Sequence, residues 1–209
     1  MRAIATLLLR LGGWRVEGGP PDCRKYVFIA APHTSNWDFV WMLAFAFHYG
    51  MRIRWIGKHS LFRWPCGWIM RRLGGIPVKR DRRQSLVKQM ADTITAAESM
   101  CLVMPVEGTR SHAPHWKSGF YHIARIAGVP IAMGYLDYGH KRGGIGPLLE
   151  PTGDIRRDMD RLRAFYADKV GKFSEKTSPI RLVEEESGIV STPETEVEAP
   201  AEPSPVVAG

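Results

Sequence analysis

His33 and Asp38 are separated by four residues in the segment His33-Thr-Ser-Asn-Trp-Asp38, shortly after the apolar run Tyr26-Val-Phe-Ile-Ala30. An imidazole with a carboxylate about one helical turn away can be held in one tautomer and made more basic, as a general base requires. The same residues fit a second reading. Ser35-Asn-Trp-Asp38 has the pattern of a capping box, in which Asp38 only satisfies orphan amides at a helix start. A further candidate is Glu107-Gly108-Thr109-Arg110, following the strand-like run Cys101-Leu-Val-Met104. Gly108 lets a ligand approach the backbone, and Thr109 and Arg110 supply donors suited to phosphate, although an ordinary surface turn has the same composition. A third is Gly75-Ile-Pro-Val-Lys-Arg80, flanked by Arg71, Arg72, Arg82 and Arg83, which reads as a solvated face or a polyanion-binding patch.

Bringing such residues together requires a scaffold that ends several strands at one edge. Tyr26 to Ala30 reads as a buried strand, and Trp37 to Tyr49 is too long and too apolar to be another, so it reads as a buried helix. Met51, Ile53 and Trp55 alternate with arginines as a half-buried strand. Pro65 opens a helix to about Leu73, and Ile76 to Lys79 is a brief strand. Ser85 fits as the cap of a helix that aligns Leu86, Met90, Ile94 and Ala97. Cys101 to Met104 is strand-like, Gly119 to Ala127 helical, Pro130 to Tyr138 a strand, and Gly139 to Gly146 a turn. Met159, Leu162, Tyr166 and Val170 stripe a last helix. Strands alternating with helices predict one α/β domain with a central, mainly parallel sheet flanked by helices, and in such sheets sites gather at the carboxyl ends of strands.

The chain has 209 residues, enough for one core of ordinary size, and its 44% apolar and 24% charged residues exclude a wholly disordered or multi-span membrane protein. Charge is uneven along it. Seven of the 21 acidic residues lie between Glu184 and Gly209 with no Lys or Arg, a composition that cannot bury enough surface to order itself. The body from Met1 to Val183 therefore holds 29 basic residues against 14 acidic, a formal +15 that favours polyanionic partners. Cys23, Cys66 and Cys101 have neither disulfide nor metal-ligand spacing, which points to a reducing compartment. Ile4, Leu7, Leu8 and Leu11 fall at helical spacing between basic residues, too short a stretch to span a bilayer. They fit an interfacial amphipathic helix or a core-packing terminal one. These readings divide the chain into an amphipathic segment 1–23, a body 24–183 and a disordered acidic tail 184–209.

The order of the blocks adds what none carries alone. His33-x4-Asp38, Gly75-Ile-Pro-Val-Lys-Arg80, Glu107-Gly-Thr-Arg-Ser111 and Val129-Pro-Ile131 resemble, in that sequence, the four-block pattern of the glycerolipid acyltransferases, including the 1-acylglycerol-3-phosphate (lysophospholipid) acyltransferases. The resemblance covers roughly residues 24–150 and implies a glycerol-3-phosphate acyltransferase-like fold. It implies His33 as base and Asp38 as its partner, with Arg80, Glu107, Gly108, Thr109 and Arg110 on the acceptor's glycerol phosphate and Val129 to Ile131 on the acyl side. It also implies a reaction without metal or other cofactor, in which acyl-CoA or acyl carrier protein is the co-substrate and a lysophospholipid hydroxyl the acceptor. The setting would be the cytoplasmic side of an anionic membrane, with no nucleic acid involved. Two departures, Lys79 before the second-block arginine and Val106 between Pro105 and Glu107, leave the acceptor open between 1-acyl-sn-glycerol-3-phosphate and another lysolipid.

The competing class is a non-enzymatic basic module that binds nucleic acid or anionic membrane. It accounts for the +15 body and leaves the ordered blocks to chance. His112-Ala-Pro-His115 has metal-ligand spacing, but Pro114 disfavours the helix that would put both rings on one face. Ser111 and Ser118 lack a Gly-x-Ser-x-Gly elbow. Phe62, Trp64 and Trp68 beside Arg63 suit a bilayer interface as well as packing.

Overall fold

Along Lys25–Ala31 (β2), Tyr26, Phe28 and Ala30 alternate with Val27, Ile29 and Ala31, so the strand presents an apolar row to each side and belongs inside a sheet covered on both faces. A computed structural model describes residues 1–78 and 83–187, apart from the side chains of 83–85 and 187. In it β2 is the middle strand of a seven-stranded sheet whose order is β1-β7-β6-β2-β5-β3-β4. The others are Arg15–Glu17 (β1), Ile53–Lys58 (β3), Gly75–Val78 (β4), Met100–Pro105 (β5), Ile131–Asp137 (β6) and Arg142–Leu149 (β7). Every neighbouring pair is parallel except β6 and β7. This is the expected α/β architecture.

Helices cover the two faces differently. Arg83–Ala96 (α4), Gly119–Ala127 (α5) and Ile155–Tyr166 (α6) pack on the side of Val27, Ile29, Leu102 and Ile131, where Phe120, Tyr121, Ile123 and Leu162 are almost wholly buried. Trp37–Tyr49 (α2) and Gly67–Arg72 (α3) cover the other side. Gly50, with φ +72°, ends α2 in the left-handed conformation and lets the chain turn back toward β3. Arg2–Leu11 (α1) lies outside α2, and this double cover explains why α2 is apolar nearly all round.

Four expectations change. The glycine-rich stretch from Gly139 is not a turn throughout, because β7 begins at Arg142. Its glycines are strand positions under close approach: a Cβ at Gly144 would meet the Glu17 carbonyl oxygen at 1.8 Å, and one at Gly143 the Phe45 ring at 2.7 Å. Residues 1–23 are not separate from the body, since β1 extends the sheet along β7 and Trp14 is buried against Trp41, Phe45 and Tyr138. The last long helix stops at Tyr166, so Val170 lies beyond it. The acidic segment begins with a short helix, Val183–Ser187 (α7), because its carboxylates find partners: Glu185 meets Arg163 at 2.8 Å, and Glu186 meets Arg181 at 3.4 Å and His115 Nε2 at 2.9 Å. Residues 188–209 lie outside the described part. The helix expected to be capped at Ser85 runs from Arg83, and the Ser85 side chain lies outside the described part as well.

The amphipathic N-terminal helix divides its apolar residues. Ala5 and Leu9 are buried against α2, while Ile4, Leu7, Leu8 and Leu11 are between 51% and 77% exposed. Trp64 and Trp68 are also exposed, whereas Phe62, grouped with them by sequence, is buried and stacked on Trp55. Among the described residues no helix is long and apolar enough to cross a membrane.

Candidate active site

Three adjacent central strands, β5, β2 and β6, end at the same edge, in register at Ala30 with Pro105 and Ala31 with Tyr135. The loop after β2 carries His33 and leads into α2 at Asp38. The loop after β5 carries Glu107 to Arg110, and Tyr138 follows β6. The parallel order thus collects residues separated by up to 105 positions at one edge.

Asp38 is the hub. Its Oδ2 accepts the Thr34 and Ser35 amides, each at 2.8 Å, and lies 3.2 Å from His33 Nδ1. Its Oδ1 accepts the Tyr138 hydroxyl at 2.7 Å. Both readings of the motif are therefore realised in one carboxylate. It closes the turn before α2 as half of a capping box, with Ser35 Oγ accepting the Trp37 amide at 3.2 Å, and it also faces the imidazole. At 5% exposure a carboxylate needs that many donors. With Nδ1 turned to Asp38, Nε2 is the His33 nitrogen able to accept a proton from a hydroxyl in the cavity that His33 lines.

That cavity holds about 610 Å³, within the range of small-molecule sites. At the strand edge its wall is polar, with His33, Asn36, Asp38, Lys58, Thr109 and Arg110. It then runs beneath α2 along Phe39, Met42 and Phe45 to Tyr49, Met51 and Ile53. From Phe39 to Tyr49 this path follows α2 for roughly 15 Å at about 1.5 Å per residue. A polar strand edge thus opens into an apolar channel beneath α2.

The third block divides in two. Gly108, Thr109 and Arg110 line the cavity, and Thr109 and Arg110 are exposed. Gly108 adopts φ +68° with the Lys117 side chain packed close above it. Glu107 is not on the cavity wall. It is 1% exposed, with Oε1 accepting the His33 amide at 3.3 Å and Oε2 without a partner among the described residues. Burial pushes its carboxyl up to about 7, the His33 amide opposing the rise and the Asp38 charge adding to it. Arg80, the second-block arginine, lies outside the described residues, as does Lys79. Val129 and Ile131 are buried in the core on the face away from the cavity.

Sequence reasoning missed the supports. Thr34 Oγ1 accepts the Phe173 amide at 3.2 Å, and the C-terminal segment also braces the third-block loop, where the Ala113 amide donates to Ser178 Oγ at 3.0 Å. Trp116 donates its amide to the Arg181 carbonyl at 2.8 Å, and Arg181 Nε donates to the Pro114 carbonyl at 3.0 Å. Tyr138 had one signal: it ends a strand whose place in a parallel sheet brings it level with the end of β2.

No curated protein matches the chain in sequence. In fold it is similar to the crystal structure of the 1-acyl-sn-glycerophosphate (LPA) acyltransferase from Thermotoga maritima, with a TM-score of 0.55 at 17% identity over 80% of this chain and 75% of that one. The acyltransferase family matches residues 20–133, a stretch that takes in His33, Asp38 and the 107–110 block. That match covers more than half of the sequence, and the chain belongs to the acyltransferase family.

Proposed function

We propose that this acyltransferase moves a fatty acyl group from acyl-CoA or acyl carrier protein to the hydroxyl of a lysophospholipid, with 1-acyl-sn-glycerol-3-phosphate as the preferred acceptor, in phospholipid biosynthesis. The observation that carries the reading is the His33–Asp38 pair, at 3.2 Å, set where a polar strand edge opens into an apolar channel beneath α2. His33 Nε2 takes the acceptor hydroxyl proton as that oxygen attacks the thioester carbonyl. The tetrahedral oxyanion then collapses, expelling the thiolate, which takes up the proton held by the His33 imidazolium and so restores the base. Asp38 fixes the imidazole tautomer and stabilises the imidazolium while it exists. Arg110, with Arg80 by family resemblance, holds the acceptor phosphate through charge-assisted bonds, and Gly108 and Thr109 bring backbone and hydroxyl donors to it. Glu107 supports the site from below through the His33 amide. The acyl chain lies along Phe39, Met42 and Phe45.

The protein works as a peripheral protein on the cytoplasmic face of an anionic membrane. This part of the reading rests on the exposed Ile4, Leu7, Leu8 and Leu11 between Arg2 and Arg10, on exposed Trp64 and Trp68, and on the formal +15 of residues 1–183. Purified protein incubated with labelled acyl-CoA or acyl carrier protein and a panel of lysolipids should yield the diacyl product, most rapidly with the 3-phosphate acceptor. Thioester hydrolysis or no turnover with every acceptor would reject the assignment.

A further inference from the structure

Asp38 can orient His33 only if its own carboxylate plane is fixed. A carboxyl torsion is broad and roughly two-fold, so two donors on one oxygen leave the other free to swing. The Thr34 and Ser35 amides both bind Oδ2, and both belong to the loop that also carries His33. Tyr138 differs. It comes from the end of β6, 100 residues away in sequence, and its hydroxyl donates to Oδ1 at 2.7 Å. Its backbone amide is tied to the Val170 carbonyl at 2.9 Å, and its ring stands edge-on to Trp14 with centroids 5.0 Å apart, so the donor is held from two directions. Burial and the neighbouring Asp38 carboxylate hold the phenol well above its ordinary pKa, which keeps the proton on it.

We propose that Tyr138 is a positioning residue for acyl transfer: its hydroxyl pins Asp38 Oδ1 to the sheet, so that Oδ2 stays on His33 Nδ1. The inference rests on the acyltransferase reading above and deepens it. Tyr138 is not among the residues lining the cavity, so it acts through Asp38 rather than on substrate. Its effect therefore falls on turnover and not on acceptor affinity. A buried tyrosine that merely needs an acceptor would affect stability alone, and the molecule supplies such a case. Tyr121 is fully buried and donates to Asp158 at 2.8 Å, away from the cavity.

The test compares steady-state rates and melts of Tyr138→Phe, Tyr138→Leu, Tyr121→Phe and Asp38→Ala, and of Asp38→Ala combined with Tyr138→Phe. Tyr138→Phe should lower kcat roughly 10–100-fold, the range for removing a group that orients a reacting side chain, with KM for the acceptor unchanged. Tyr138→Leu should melt lower and show the same lowered kcat per folded molecule as Tyr138→Phe. Tyr121→Phe should lower the melting temperature and leave kcat intact. In the Asp38→Ala background, Tyr138→Phe should cost nothing further in kcat, because the group through which it acts is gone. Wild-type kcat in Tyr138→Phe, or an undiminished further loss in the Asp38→Ala background, would overturn the inference. Full activity in His33→Ala would instead overturn the underlying mechanism, so the two failures are distinguishable.

Discussion

Val27 and Ile29 point to one face of the sheet and are wholly buried beneath α5, whereas Phe28 and Ala30, their neighbours on the same strand, point to the other face and stay half-buried along the cavity. The first face is packed solid by α4, α5 and α6. The second carries aromatic side chains as well, yet Phe39, Met42 and Tyr49 wall a channel instead of filling it. A sheet buried on both sides has thus separated stability from ligand space. The filled face fixes where the strands end, and the hollow face uses that precision by placing His33 and Asp38 where the channel meets polar residues.

Substitutions should reveal the division. The largest effect on folding is expected on the filled face: Phe120→Ala, at 1% exposure, should cost about 3–5 kcal/mol in denaturant unfolding. A loss below about 1 kcal/mol would mean that this face is not the load carrier.

Next in size is Glu107, the buried carboxyl beside the His33 amide. Its folded pKa of about 7 lies above the ordinary value of 4.5, so the folded state binds the proton more tightly than the unfolded one. The stabilisation is fully present below about pH 4.5 and is lost as pH rises through 7, on the order of 2–4 kcal/mol across that window. Glu107→Gln, which mimics the protonated form, should flatten the slope of stability between pH 5 and 8. An identical slope in wild type and variant would show that Glu107 titrates normally.

Overpacking sharpens the contrast further. Ala124→Leu on the filled face should cost about 1–3 kcal/mol, while Met42→Trp on the hollow face should cost less than about 1 kcal/mol because the channel receives the added ring. The same Met42→Trp should depress rates with long acyl donors much more than with short ones. Equal losses for both donor lengths would mean that the acyl chain does not lie there. The smallest folding effect is expected outside both faces. Leu8→Glu, at a position 51% exposed on α1, should change stability by no more than about 0.5 kcal/mol yet weaken binding to anionic vesicles in a flotation assay.

Much of this division could be read from the chain, and the rest has definite reasons for staying hidden. The unbroken apolar run from Tyr26 to Ala30 and the apolar length of Trp37–Tyr49 report a buried strand and a buried helix because burial leaves a local mark in the sequence. β7 was illegible because Gly143, Gly144 and Gly146 are chosen for what approaches them across space, and glycine reads locally as a turn. β1 was illegible because three residues carry no period, and only pairing with β7 makes Arg15–Glu17 a strand. His33 and Asp38 were visible as a spacing. The burial of Glu107, the brace of Thr34 by Phe173 and the Tyr138 bond to Asp38 were not, since each joins segments between 74 and 139 residues apart. The Ile4, Leu7, Leu8 and Leu11 stripe was evident, but that it faces outward while Ala5 and Leu9 pack on α2 follows only from the fold.

The central claim is that His33, oriented by Asp38 at the polar end of the channel, activates the acceptor hydroxyl for acyl transfer. Initial rates of diacyl product formation from labelled acyl thioester, measured for wild type and His33→Ala at equal folded concentration as judged by thermal melts, test it most directly. The account predicts that His33→Ala folds like wild type and that its rate falls by ~10²–10⁴, the loss typical for removing a general base. A folded His33→Ala protein that forms product at near wild-type rate would contradict it.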